Sequence, residues 1–554
     1  MIRRFPFAAS ALPMLAALAL ALSACATAPL PAGAPADAFA VASAATPQFS
    51  APRLSDHIKY LASDELEGRF PGQVGERLTL AYLQAQYEAM GVEPGGRDGS
   101  WLQPVDLVRF TPARAPAATW TGADGVAVAL TSGTDITLRA GPADPQVKLD
   151  GLPVVFAGYG VVAPERGWDD YGPGDLTGKV VVVLRGQPAA MGAEPNFYGS
   201  PTHKMQEALK RGAVGVITLE EEAGRWRRAA GGATRPQMTV KGARETRFTG
   251  AINMDTAQRL GGSGLAQALT RAKAGGLGGA APLAGRLSVD IDETIEVIRS
   301  NNLLARIPGT RRPDEYVVYS AHWDHVGKAR QPDATGDIIY NGAWDNASGT
   351  AALIEMARAF KAGPAPERTV VFLHVTAEEQ GLLGSEAYAA DPVYPLEKTA
   401  ADINIDMLPF TPATRDVAVF GVGKSELEDI LGRFAAVQGR VVTGDGYPEE
   451  GFYYRSDHFN FAAGGVPALM PWTGRDFVEG GGAAGKPYYE AQMARYYHKL
   501  TDEWRADYDF TAALQNLDLL YRLGLTVADS TTWPAWKPTA EFNAIRDRSA
   551  DQRR

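Results

Sequence analysis

Three features of the sequence predict an α/β fold: a mixed, mostly parallel sheet flanked by helices, with a β-rich module inserted into it. From residue 291 onward, short apolar runs alternate with segments of helical spacing. Each apolar run there ends in a cluster of polar residues, where open α/β sheets gather their ligands. From 131 to 290 the pattern changes to brief β-rich runs bounded by glycines.

In chain order, residues 1–24 read as a secretory signal. "MIRRFPFAASALPMLAALALALSAC" places Arg3 and Arg4 before an apolar stretch and small residues before Cys25. Leu22-Ser23-Ala24-Cys25 resembles the bacterial lipobox, which implies cleavage before Cys25 and lipid on it. The expected product is an exported lipoprotein held at a membrane surface, facing the periplasm from the outer membrane, or at the cell surface. Cys25 is the only cysteine, so an intramolecular disulfide and a Cys–His nucleophile are excluded. Residues 25–50, rich in Ala and Pro, read as a flexible tether. The 554 residues, 45% hydrophobic and 21% charged, suit a globular protein; a net charge of −10 without a basic run argues against a nucleic-acid partner.

The first part of the main domain spans 51–130, where "RLSDHIKYLASDELEGR" and "GERLTLAYLQAQYEAMGV" carry helical spacing. The inserted module spans 131–290, with "GLPVVFAGYGVV" and "LTGKVVVVLRG" as strands. The main domain resumes over 291–535, and 536–554 form a polar tail. In this part "EYVVYSAHWDH", "RTVVFLHVTAEE" and "ADINIDM" read as strands, and "GTAALIEMARAF" as an amphipathic helix.

Four polar clusters follow these elements. In "SAHWDHVG", His322 closes a strand, with Asp324 placed to orient its imidazole. In "NGAWDNASGT", Asp345 lies among small residues before a helix, able to cap it or, if Ser348 caps, to meet an ion. In "TAEEQGLLGSEAY", adjacent Glu378 and Glu379 end an apolar strand, a costly placement unless a cation neutralises them. In "NIDML", Asp406 is a lone acid in an apolar run and needs a partner. Two further stretches, "YYRSDHFNF" with His458 and "YYHKLTDEW" with His498, each offer a histidine beside tyrosines and an aspartate.

Taken together and in order, these motifs resemble the di-zinc exopeptidases that include bacterial aminopeptidases and glutamate carboxypeptidase and, more distantly, glutaminyl cyclase. The resemblance runs from Arg53 to about residue 530, and the module is similar to a protease-associated domain. It implies that His322 and Asp406 hold the first zinc, that Asp345 bridges both, and that Glu379 and His498 are the remaining ligands. It also implies Glu378 as general base, Tyr497 as oxyanion donor, Asp502 as support for His498, and His458 near the substrate cleft. Trp344, where many members have an aspartate, and Lys499 depart from the pattern. The implied cofactor is two Zn²⁺ per chain, with Mn²⁺ or Co²⁺ as substitutes. The implied activity is an aminopeptidase acting on peptides. A carboxypeptidase, with Arg455 or Arg475 on the terminal carboxylate, a glutaminyl cyclase-like acyltransferase, a cell-wall amidase and a non-catalytic binding protein are the alternatives.

Overall fold

The computed structural model describes Phe39 and residues 47–192 and 195–553. The signal segment, Cys25 and most of the tether lie outside the described residues. Among the described residues no helix is long and apolar enough to cross a membrane.

Helices α1 (Ala51–Leu61) and α2 (Val74–Ala89) come first. Ser50 caps α1 by accepting from the Arg53 backbone N–H, and Leu54, Ile58 and Leu61 give it one buried stripe. Strand β1 (Leu102–Pro112) leads into a second sheet of β2 (Ala117–Gly122), β3 (Ala127–Leu130), β4 (Ile136–Ala140), β5 (Gln146–Phe156), β6 (Val180–Leu184), β7 (Gly215–Glu220) and β9 (Phe248–Asn253). Helices α3 (Pro201–Lys210), α4 (Ala223–Gly232) and α5 (Met254–Gly275) connect its later strands, while β8 (Gln237–Val240) pairs back onto β1. Trp120, Phe156, Leu219, Phe248 and Leu265 share its buried core.

The 27-residue strand β10 (Ala281–Ile307) joins the two sheets. Its first part pairs with β2 and β5, its middle with β1, and its end with β12 of the main sheet. Strand pairing therefore starts the second sheet at Ala117, before residue 131, and the position 290/291 falls inside one continuous strand. Single-sequence patterning misses this because a strand that changes partners keeps its own spacing.

The main sheet continues with β11 (Arg312–His322), α6 (Ser348–Ala362), β12 (Arg368–Val375), α7 (Leu383–Ala390), β13 (Thr399–Asn404), β14 (Asp416–Phe420), α8 (Leu427–Val437), β15 (Val441–Thr443), α9 (His458–Ala463), β16 (Ala468–Trp472), α10 (Gly481–Tyr496) and α11 (Thr511–Asp529). Strands β12, β11, β13 and β16 run parallel at its centre, and β10 and β14 flank them antiparallel. The residues of β12 and β13 are buried throughout, as expected for parallel strands covered on both faces. Tyr319 of β11 donates to the Leu520 carbonyl of α11 at 2.7 Å, and a side chain at Gly524 would collide with that hydroxyl. The C-terminal segment packs: Trp536 and Phe542 are buried, and Arg546 donates to the Thr399 carbonyl at 2.9 Å.

Helix α6 matters most for the site, because the turn at its N-terminus carries Asp345. It is tied to α1 by Glu355, which accepts from Arg53 Nε and Nη2 at 2.9–3.1 Å and from Arg358 at 3.0 Å, with His57 at 3.7 Å. Burial raises the Glu355 carboxyl, but His57, Arg53 and Arg358 outweigh it and hold the group down at about 2. A depressed folded value makes this stabilisation complete above the ordinary glutamate range near 4.5, and it is lost as pH falls through about 2. Glu355→Gln is expected to lower unfolding stability at pH 7 by about 1.5–3 kcal/mol. In urea titrations the gap to wild type is expected to close as pH falls from 4.5 toward 2.

Candidate metal centre

The ends of three parallel strands and one helix-leading turn converge on a single cleft. β11 ends in His322, β13 runs on to Asp406, and the chain beyond β12 delivers Glu378 and Glu379. The turn Ala343–Ala347 brings Asp345 from the side, with a cis peptide between Asp345 and Asn346. Asp345 does not cap α6, which has no side-chain cap. Instead Ser348 donates to the Trp344 carbonyl at 2.7 Å and accepts from the Leu408 N–H at 2.9 Å, stitching the turn to the end of β13. Asn346 adds a bond from Met407 N–H to its Oδ1 at 3.1 Å and one from its Nδ2 to the Ile405 carbonyl at 3.1 Å. Gly349 is required here, since a Cβ would lie 2.2 Å from the Ile405 carbonyl oxygen.

The two oxygens of Asp345 face different partners. Oδ1 is 3.3 Å from His322 Nε2, and Oδ2 is 3.1 Å from His498 Nε2. His322 Nε2 is also 3.2 Å from Asp406 Oδ1, and His498 Nε2 is 3.0 Å from Glu379 Oε2. One buried carboxylate is thus shared between two groups of imidazole and carboxylate. His322, Asp345 and Asp406 offer ligand atoms within 4.8 Å of one another, as do His325, Asp345 and Glu379. Imidazole nitrogens and carboxylate oxygens without thiolate are a donor set that fits zinc.

Glu378 stands apart from this set. Its Oε2 is 4.0 Å from His322 Nε2, and its backbone N–H is held by Asp324 Oδ1 at 3.0 Å. Burial, with Asp406 and Glu379 adding to it, raises its carboxyl well above the usual range. Asp345 moves the other way: burial opposes ionisation, but bonds from His322 and His498 hold it well below its ordinary value. Burial likewise opposes the charge of His498, yet Asp345 and Glu379 raise it to about 10.

Several sequence expectations are placed differently. The Asp324 carboxylate does not orient His322; the imidazole Nδ1 lies 3.1 Å from the Asp324 backbone carbonyl and 3.8 Å from its carboxylate. Asp502 does not bond His498. Its two carboxylate oxygens accept the backbone N–H groups of Trp344 at 2.9 Å and Asp345 at 3.0 Å, so it anchors the turn and not the imidazole. His458 does not reach the cleft. It is fully buried in α9, edge-on to Tyr453 at 4.7 Å, and burial lowers it to about 3. The S-D-H motif acts through Ser456, which donates to Asp406 Oδ2 at 2.7 Å.

The cleft beside the cluster is walled by Met407, Phe420, Phe452, Met470 and Trp472. Arg455 and Tyr497 also line it, whereas Arg475 does not. Tyr497 stacks on His498 at 4.0 Å between centroids, and Arg455 donates to its hydroxyl at 3.3 Å. Two residues without an assigned role prove central. Arg69, fully buried, donates to the carbonyls of Trp323, Leu61, Asn341 and Gly342, and so ties the loop after β11 to the loop before Asp345. His325, also fully buried, lies 2.7 Å from Glu379 Oε1. The H-x-x-H spacing after a strand was its only sequence signal.

Comparison with known proteins places this cluster in a matched segment. Residues 302–521, which contain His322, His325, Asp345, Glu378, Glu379, Asp406 and His498, match Peptidase family M28. The chain is 33% identical over 142 residues to an aminopeptidase, NAALADL1, of Mus musculus, covering 24% of this chain and 17% of that protein. It is 35% identical over 119 residues to a probable zinc metalloprotease of Pyrenophora tritici-repentis, covering 22% of this chain and 26% of that one. The match thus spans about a quarter or less of these relatives. Among solved structures, an aminopeptidase from Aneurinibacillus sp. strain AM-1 superposes with a TM-score of 0.47 and 20% identity, over 89% of this chain and 95% of that one. BSAP, a zinc aminopeptidase from Bacillus subtilis, gives 0.40 and 18%, over 90% and 98%.

The Asp502 bonds make the turn a support for the cluster. Asp502→Ala is expected to leave the chain folded but to weaken metal retention by about 10–100-fold, the usual cost of losing an outer partner. Competition with a chromogenic chelator measures it.

Proposed function

We propose that this chain is a zinc-dependent peptidase of the M28 type, working with two ions as an aminopeptidase. The observation that carries the reading is Asp345, with one oxygen toward each of two imidazole–carboxylate groups and a non-ligating glutamate beside them. His322, Asp345 and Asp406 would hold one zinc, and Asp345, Glu379 and His498 the other. Zinc supplies Lewis acidity and an acidified water there; Mn²⁺ or Co²⁺ would serve as substitutes.

Glu378 takes a proton from the attacking water on a carboxylate oxygen and returns it to the leaving amine nitrogen. Tyr497 donates to the substrate oxygen as negative charge develops. Arg455 sets the direction of that donation: a guanidinium can only donate, so the Tyr497 oxygen accepts and its own proton is free to point into the cleft. The apolar wall receives a substrate side chain, and the carboxylates can recognise a free amine.

Arg455 also supports a second reading, a carboxypeptidase that pairs it with a terminal carboxylate. Export as a lipoprotein through Cys25, facing the periplasm or the cell surface, and a protease-associated role for the inserted sheet belong to the same proposal. Mass analysis of the mature N-terminus tests the first of these.

Glu378→Gln is expected to reduce kcat by about 10²–10⁴-fold with zinc content unchanged; undiminished turnover would contradict the assignment. On paired substrates, free-amine aminoacyl anilides should be cleaved and N-blocked peptides spared, with activity lost on chelation. Preferential cleavage of N-blocked peptides with a free carboxylate would instead establish the carboxypeptidase.

A further inference from the structure

His325 lies in the loop after β11, three residues beyond His322, with no role in the reading above. Its side chain is wholly inaccessible, and neither ring nitrogen has a hydrogen-bond partner. Nδ1 is nevertheless only 2.7 Å from Glu379 Oε1, an atom that also lacks a hydrogen-bond partner. The two buried atoms make a close imidazole–carboxylate contact, and a cation beside them could draw an electron pair from each. His325, Asp345 and Glu379 bring ligand atoms within 4.8 Å of one another. The His325 ring stands edge-on to that of His498, 6.0 Å between centroids, so both imidazoles border the Asp345–Glu379 pair. The backbone makes room for the ring: a Cβ on Gly342, whose φ is +59°, would lie 2.6 Å from His325 Cδ2.

We propose that His325 is a fourth protein ligand of the ion held by Asp345, Glu379 and His498, so that the two ions are held unequally. This rests on the two-zinc reading. The ion at His322, Asp345 and Asp406 has three protein ligands and keeps an open position, as catalytic zinc does; the other is closed by four, as structural zinc is. The exposed partner of the closed site is His498, whose side chain is 39% accessible, and the inner one is His325.

The test uses the purified chain and zinc alone, with mass-spectrometric metal counting and chelator competition. Wild type is expected to bind two zinc ions with separable affinities. His325→Gln, which can still donate to Glu379 but ligates zinc poorly, is expected to lose the tighter ion by more than the about 10–100-fold that removing an outer partner costs. His325→Cys, a zinc ligand that donates only weakly, is expected to restore it. In Co²⁺-loaded samples the Cys variant should gain a thiolate-to-cobalt absorption band. If Gln preserves tight binding and Cys does not, His325 is a positioning residue for Glu379 and the proposal is overturned. Wild type that binds no zinc overturns the two-zinc reading itself. Circular dichroism of the metal-free variants, expected to match metal-free wild type, separates metal loss from misfolding.

Discussion

A carboxylate with both oxygens facing imidazoles, 3% exposed to solvent, cannot be placed by its own backbone alone. Asp345 sits in a turn that makes few regular hydrogen bonds, and the surrounding chain compensates. Asp502 holds two of the turn's N–H groups, Asn346 and Ser348 pin it to the end of β13, and Arg69 gathers the carbonyls on its far side. Glu355 then locks α6 onto α1. Each contact is ordinary; their common object is the position of one side chain, and small errors there are costly in catalysis.

The same constraint sets the electrostatics. Asp324, Asp345, Glu378, Glu379, Asp406, Asp457 and Asp502 crowd the ends of the parallel strands, with the fully buried guanidinium of Arg69 near them. Burial raises Asp324 to about 8 and Asp502 to about 7, and it lowers Arg69 to about 10 even against the pull of four carboxylates. Such an acidic excess is expensive without cations. The donor set and the charge therefore point the same way, and the mostly parallel sheet explains why both accumulate at one edge.

Much of this was legible in the chain. The alternation of apolar runs and helical spacing after residue 291 foretold the sheet, and the motif order foretold which side chains meet at its edge. What was not legible depends on contacts between distant segments. Asp502 follows His498 by four residues, so sequence proximity suggested a bond to the imidazole; the fold instead turns it onto Trp344 and Asp345. His458 resembled His498 in its tyrosine and aspartate neighbours, but α9 points it into the interior. Arg69 closes a stretch of helical spacing and carries no local signal, because its four carbonyl partners lie as much as 273 positions away. β10 hid the start of the second sheet because a strand shared by two sheets shows no break in its pattern.

Two ions astride Asp345 are the feature on which the proposed function rests. The most direct measurement is anomalous diffraction on crystals of the metal-loaded chain, recorded on either side of the zinc absorption edge. Two peaks are expected, one between His322 and Asp406 and one between Glu379 and His498, with Asp345 between them. A single peak, or peaks away from Asp345, would contradict it.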